Sequence, residues 1–331
     1  MSSILGFIFC GAVIFFAGKK LSHYGDLIAE LTGVGKAWIG LILLATVTSL
    51  PELMVGISSS AIVQSADLAV GDILGSCAFN LGILAMMDVF MPRPKSLFGA
   101  ASQSNVMAAS MGIILIAMAG VGLSLPKEYT LTTGIGFISV LFIIIYLISI
   151  RVLYKFDIRI KKAAIEQELK KEGPISLRRA LLMYGLFAIV TIAAALFLPH
   201  FAENIAEITG LGKTFVGTLF LAASTSLPEI AVSIAAVRMG SVDLSVGNLL
   251  GSNLFNIFIL ALDDVFYTKG QLLKDASEAN LISVLATIIM SSIAIVGLTY
   301  HSQTKRFLMA FDSLLIFIVY ILNMLILYKL T

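Results

Sequence analysis

Residues 21–53, LSHYGDLIAELTGVGKAWIGLILLATVTSLPEL, align with residues 198–230, LPHFAENIAEITGLGKTFVGTLFLAASTSLPEI, and 17 of the 33 positions are identical. After a one-residue gap the match resumes, with DLAVGDILGSCAFNLGILAMMDVF at 67–90 against DLSVGNLLGSNLFNIFILALDDVF at 243–266. The chain is therefore a duplicated unit. Any fold for it must house two equivalent copies of Thr-Ser-Leu-Pro-Glu, at 48–52 and 225–229, each inside an apolar run.

The solvent for those runs is lipid. Hydrophobic residues make up 59% of the chain and charged residues 13%, with a mean hydropathy of +1.00; a soluble domain keeps roughly 25% charged residues to cover its surface. Apolar stretches long enough for about 30 Å of hydrocarbon recur throughout. Ten are expected, near 3–18, 37–63, 67–90, 104–123, 130–151, 179–198, 214–237, 243–266, 280–299 and 307–328. Each must be a helix, because a lipid-exposed segment has to satisfy its own backbone. The two TSLPE copies fall in the second and seventh spans. Five spans, an odd number, separate them, so the second copy enters the membrane the other way up. The expected fold is all-α, ten transmembrane helices as two inverted five-helix repeats, an architecture typical of secondary transporters. The halves are 1–151 and 179–331, joined by a charged linker at 152–178.

The first apolar run has no basic region ahead of it and is followed by Lys19 and Lys20, so it reads as a retained span and not as a signal peptide. Cys10 and Cys77 lie within spans and offer no disulfide framework, and His23, His200 and His301 show no zinc spacing. With the N-terminus outside and the spans alternating, 17 of the 22 basic residues fall on inner segments, nine of them within 151–179. This split places both termini outside and the linker in the cytoplasm, and a multi-pass protein of a prokaryotic inner membrane is the expected setting. The basic linker could also meet anionic lipid.

Pro51 and Pro228 have no amide hydrogen and clash with the preceding turn, so each helix should break there. The carbonyls of Val47 and Ser224, four residues earlier, then lose their usual partners. Beside them stand the hydroxyls of Thr48, Ser49, Thr225 and Ser226 and the carboxylates of Glu52 and Glu229. Oxygen clusters of this kind suit hard cations such as calcium. A charged side chain at the bilayer centre is costly and by default marks a functional site; two glutamates in inverted halves would converge near the pseudo-two-fold axis and balance one divalent cation. An isolated intramembrane glutamate can instead be a protonated packing residue, a reading that a symmetric pair beside prolines disfavours.

The second repeated element is G-D/N-x-L-G-S-x-x-x-N, Gly71 to Asn80 and Gly247 to Asn256. Its glycines, four apart, allow close helix approach. Ser76, Asn80, Ser252 and Asn256 form polar stripes facing a partner helix, as site ligands or as ordinary interhelical hydrogen bonds. Asp67 and Asp243 read as helix N-caps or first-turn acids. Asp88, Asp263 and Asp264 are expected at the membrane interface, with gating as a secondary possibility.

TSLPE paired with this Gly-Ser-Asn element, twice and in inverted halves of a ten-span chain, closely resembles the sodium/calcium exchanger family of cation/calcium antiporters. The resemblance spans the whole chain outside the linker. It implies alternation between inward- and outward-facing states, and calcium and sodium as transported ions with no cofactor. It also implies Glu52 and Glu229 as central calcium ligands, Thr48, Ser49, Thr225 and Ser226 at flanking sodium sites, and Ser76, Asn80, Ser252 and Asn256 completing the sites. The chain departs from the family where Val47 and Ser224 stand in place of Gly, and where Asp72 replaces a usual Asn that Asn248 keeps. Some members carry Asp at one of the deeper positions that here are both Asn, 80 and 256. These departures bear on the coupling ion, and Asp72 is a candidate coupling or gating acid.

Sodium-coupled calcium exchange is thus the leading reading and calcium/proton antiport its nearest alternative. An intramembrane protease is disfavoured because Ala-Val-Gly-Asp at 69–72 lacks the GxGD pattern and no intramembrane histidine could serve Ser49 or Ser226 as a base. A passive channel would place its filter on an oligomer axis. The expected partners are calcium, sodium and the bilayer, without nucleic acid, and one chain suffices for transport.

Overall fold

A computed structural model describes residues 2–125, 135–165, 176–209, 223–300, 305 and 307–330. Its elements are helical. In chain order they are α1 (Ser2–Thr32), α2 (Lys36–Thr48), α3 (Leu50–Val63), α4 (Ala66–Met87), the short α5 (Leu97–Ala100), α6 (Ser104–Ser124), α7 (Phe137–Ile165), α8 (Leu177–Thr209), α9 (Leu227–Arg238), α10 (Val242–Phe266), the short α11 (Leu272–Asp275), α12 (Asn280–Tyr300) and α13 (Phe311–Leu330). Eight are individually long and apolar enough to cross a membrane, and α2 with α3 makes a ninth span bent by 43°. The span expected at 214–237 is represented by residues 223–225 and α9; its first part lies outside the described residues, as do 130–134 of the fifth span.

The bend between α2 and α3 falls at Ser49, whose backbone (φ −91°, ψ 11°) leaves helical geometry two residues before Pro51. Ser226 (φ −85°, ψ 8°) does the same before Pro228. The proline effect expected in both halves is therefore present in both. Residues Gly40–Leu44 of α2 and Ser58–Val63 of α3 are π-helical, so wide turns flank the break on either side. The helix ahead of α4 closes in left-handed backbone at Gln64 (φ 55°), and the repeat-equivalent residue at the end of α9 is Gly240 (φ 80°).

Two helices occupy the centre. Of the apolar windows of α10 and α4, 78% and 72% is buried, against at most 50% for the other six unbroken spans. Large apolar side chains on the outer helices face outward, among them Phe9, Leu182, Ile189 and Leu147, and give the lipid-facing surface of a multi-pass membrane protein. The repeat-equivalent α1 and α8 pack along each other in two smaller clusters, apart from the main core, that they share with α2, α9 and Leu244 of α10. Both extend past the spans expected for them, and α7 continues to Ile165, well into the segment read as linker. That extension is anchored by Asp157, which accepts hydrogen bonds from Gly35 N (2.7 Å) and Ser104 Oγ (3.2 Å).

Aspartates lock the two halves together in reciprocal pairs. Asp243 accepts from Ser102 N (2.6 Å) and Asn105 Nδ2 (2.9 Å), while Asp67 accepts from Ser277 N (2.5 Å). Asp88 accepts from Leu97 N (2.7 Å) and from Ala310 N (2.6 Å) across the halves; Asp264 accepts from Leu272 N (2.7 Å) and from Gly136 N (2.6 Å), again across the halves. Asp67 and Asp243 are first-turn acids, the second of the two readings expected for them, and their carboxylates bond the other half, while Ser65 and Ser241 are the N-caps of α4 and α10. Asp88, Asp263 and Asp264 stand at the ends of their spans and are buried within the protein (0%, 0% and 2% exposed).

The glycine spacing has its counterpart in close approach. A methyl group on Gly247 would lie 2.3 Å from Ala37 O, and one on Gly251 would lie 2.3 Å from Leu41 O and 2.5 Å from Leu41 Cα. The obstacle is backbone, which cannot rotate aside. Gly251→Ala should therefore push α2 off α10 and destabilise the protein by about 2–3 kcal/mol. The check is a lower melting temperature in detergent; an unchanged melting curve would show that α2 is not held there. For Gly71 and Gly75 the repeat-equivalent partner, 214–218, lies outside the described residues.

Candidate functional site

The two breaks bring the TSLPE motifs face to face. Thr48, Ser49, Glu52, Ser224, Thr225, Ser226 and Glu229 are all at most 1% exposed. Ser49 Oγ donates to Glu229 Oε1 (3.1 Å) and Ser226 Oγ donates to Glu52 Oε1 (3.3 Å). Each half thus holds the carboxylate of the other, as the inverted repeat requires. Ser252 Oγ adds a second bond to Glu229 Oε1 (3.4 Å). Thr48 Oγ1 lies 3.3 Å from Ala45 O, 3.3 Å from Asn248 Oδ1 and 3.5 Å from Ser252 Oγ.

The central helices supply the rest. Ser76, Asn80, Ser252 and Asn256 are buried to within 1%, on the faces of α4 and α10 that meet. Asn80 Nδ2 donates to Asn253 Oδ1 (3.1 Å), and Asn253 Nδ2 donates to Cys77 O (3.1 Å). Asn253 occupies the repeat position of Cys77, so this crossing sits near the pseudo-two-fold axis. Val47 contributes only its carbonyl to the break, because its side chain packs in the α1–α8 cluster.

What remains unpaired defines the chemistry. Glu52 Oε2, Glu229 Oε2, Ser76 Oγ, Asn80 Oδ1 and Asn256 Oδ1 are buried without a hydrogen-bond partner. Orphaned buried polar atoms are expensive and rare. Asn256 Nδ2 is unpaired as well, but the others named here are oxygens, two of them from the carboxylates of the crossed pair. Hard cations take such neutral and anionic oxygens, and calcium takes 6–8 of them. Among the described residues no group of three or more His, Cys, Asp or Glu side chains could hold a metal, so the site depends on hydroxyl and amide oxygens beside its two carboxylates.

Of the site residues expected from sequence, hydrogen bonds join Ser49 and Ser252 to Glu229 and Ser226 to Glu52, with Thr48 beside Ser252 and Asn80 bonded to Asn253. Ser76, Asn256, Ser224 and Thr225 are buried on or next to the same elements, and Asp72 stands apart. That residue lies on α4 one turn before Ser76, with Oδ2 buried and unpaired. Two residues that sequence reasoning did not place belong to the site. Asn248 accepts from Thr48 and donates to Ser233 Oγ (3.2 Å), and its signal was its repeat relation to Asp72. Asn253 had no such signal, because its counterpart is a cysteine.

The chain has relatives among known proteins. The chain is 26% identical over 294 residues to the inner membrane protein YrbG of Escherichia coli, covering 84% of this chain and 85% of the relative. It is 34% identical over 123 residues to the sodium/calcium exchanger MaX1 of Methanosarcina acetivorans, covering 35% of this chain and 33% of that one. Its fold matches the solved structure of the sodium-calcium exchanger NCX_Mj with a TM-score of 0.76 at 21% identity, over 98% of both chains. The sequence model described as "Sodium/calcium exchanger protein" matches residues 2–154 and 179–329, nearly the whole chain. The chain belongs to the sodium/calcium exchanger family.

Proposed function

We propose that this protein is a secondary antiporter that exchanges calcium for sodium by alternating access. The observation that carries the reading is the crossed pair Ser49–Glu229 and Ser226–Glu52, which sets two carboxylates from inverted halves around a cluster of unpaired oxygens. Two negative charges balance one calcium ion, or two sodium ions with neutral oxygens shared between them. Glu52 and Glu229 hold calcium. Thr48, Ser49, Thr225 and Ser226, with the carbonyls of Val47 and Ser224, bind sodium beside it, and Ser76, Asn80, Ser252 and Asn256 close the shell. Because sodium and calcium compete for the same oxygens, loading with one releases the other.

The packing of α1 along α8, in clusters apart from the main core, supports the moving part. These two helices slide or rock as a pair across the fixed four-helix site, opening it to one side at a time. The charge distribution supports an orientation with both termini outside and the 152–178 linker in the cytoplasm of a prokaryotic cell, across the inner membrane. One chain carries both halves and suffices for transport.

The test is uptake of radioactive calcium into liposomes containing purified protein. An outward sodium gradient should drive uptake at least tenfold above vesicles without a gradient, while a pH gradient alone should not. Uptake that follows only the pH gradient would replace sodium with protons as the coupling ion and make Asp72 the first residue to examine.

A further inference from the structure

Asp263 is fully buried (0% exposed), and neither carboxylate oxygen has a hydrogen-bond partner. Its repeat counterpart is Met87, so the duplicated plan of the central site does not call for it. Protonation alone would not satisfy the group, because a neutral acid carries an O–H that needs an acceptor. The carboxylate is pressed against Gly56: a methyl group there would lie 2.4 Å from Asp263 Oδ2. Gly56 follows Glu52 by one turn of α3, so the carboxylate sits about 6 Å along the helix from the central site.

Ser60, one turn beyond Gly56 on the same side of α3, and Asp72 on α4 carry further unpaired oxygens. Ser60 is fully buried with its Oγ unpaired, in the π turn of α3 that packs against both α4 and α10. Asp72 Oδ2 is buried and unpaired. Asp72 lies within electrostatic reach of both Glu52 and Asp263, and its repeat counterpart is Asn248. Acids thus stand at the two positions where the other half has Met and Asn, both toward the end of the molecule at which α3 closes on Gln64.

We propose that Asp263, Asp72 and Ser60 form a second cation site, one turn from the Glu52–Glu229 pair, that takes a hard divalent cation such as calcium. Two carboxylates balance its charge, and their oxygens with the Ser60 hydroxyl supply up to five ligands of the 6–8 that calcium takes. The missing side chain at Gly56 leaves room for the Asp263 carboxylate. An ion held here is in line with the central pair and one step from it, as multi-site conduction requires.

The experiment is equilibrium dialysis of the purified full chain against radioactive calcium without sodium. The wild type should bind two calcium ions per chain, and E52Q/E229Q should keep one. Adding D263N to that pair should remove it, while D263N alone should keep the central ion and a normal melting curve. D72N and S60A in the E52Q/E229Q background should each weaken the remaining ion at least fivefold, so the result does not hang on one variant. The proposal is overturned if E52Q/E229Q binds no calcium, or if it binds equally with and without D263N, as a water-bridged carboxylate would give. Calcium that depends on Asp263 without any exchange would refute only the antiport reading, and exchange without that calcium would refute only this site.

Discussion

Calcium uptake should fall by about 100-fold or more in Glu52→Gln and in Glu229→Gln. Each substitution keeps the side chain's shape and an oxygen for the cross-half serine, at 3.3 Å from Ser226 and 3.1 Å from Ser49 respectively. What it removes is one of the two charges that face the ion in a site at most 1% exposed. Breaking a buried charge pairing from one side costs about 3–5 kcal/mol, and each 1.4 kcal/mol is about tenfold in affinity. The protein itself should not suffer. Without calcium the two buried carboxylates repel each other, so either glutamine should leave the apo melting temperature unchanged or raise it. Calcium at 100 times its dissociation constant stabilises a binder by about 2.7 kcal/mol, and that calcium-induced rise in melting temperature should shrink sharply in both variants. Flux and melting curves together separate loss of the ion from loss of the fold. Wild-type uptake in either variant would remove the carboxylates from the mechanism.

The parts of this site that were legible in the sequence are those the duplication repeats. TSLPE marks a proline break and an acid in one stroke, and its second copy five spans later dictates inversion. Helix spans were legible because lipid imposes length and apolarity on every segment that crosses it. Contacts made between the halves were not. The amides that Asp88 and Asp264 accept come partly from residues 222 and 128 positions away, and nothing near either aspartate names them. A gating role and a structural one look alike at that stage, since both need an acid near a span end. Asn253 was hidden for a related reason: it does its work against Cys77 on the axis, where the two copies differ. The π turns at Gly40–Leu44 and Ser58–Val63 also have no composition that sets them apart from ordinary helix. The first of them lies where α2 brings the Leu41 backbone within reach of Gly251, a contact between the halves that no local sequence names.

Asp88→Ala should be among the most destabilising single changes in the chain, and more so than Asp264→Ala. Both aspartates satisfy one amide of a short helix and one amide ahead of the last helix of the opposite half. Each charge-assisted bond of this kind contributes about 1.5–3 kcal/mol, so either alanine leaves two amides orphaned. Asp88 has a further duty. Lys305 Nζ lies 3.8 Å from Asp88 Oδ1, with both side chains at most 1% exposed, and also donates to the Asp88 carbonyl. Burial pulls the Lys305 amine below its ordinary lysine value and the Asp88 charge opposes that pull. Removing Asp88 strands the lysine as well, at an added cost of about 3–5 kcal/mol. No cation is paired with Asp264 among the described residues. The melting temperature in detergent should therefore fall most in Asp88→Ala, less in Asp264→Ala, and recover in part when Lys305→Met is combined with Asp88→Ala. Full recovery is not expected, because the amides of Leu97 and Ala310 stay unsatisfied. A gating acid would behave in the opposite way: its neutral variant would change calcium flux and leave the melting curve where it was. Finding that pattern at position 88 or 264 would return these residues to the transport cycle and leave the joint between the inverted halves to be explained by other contacts.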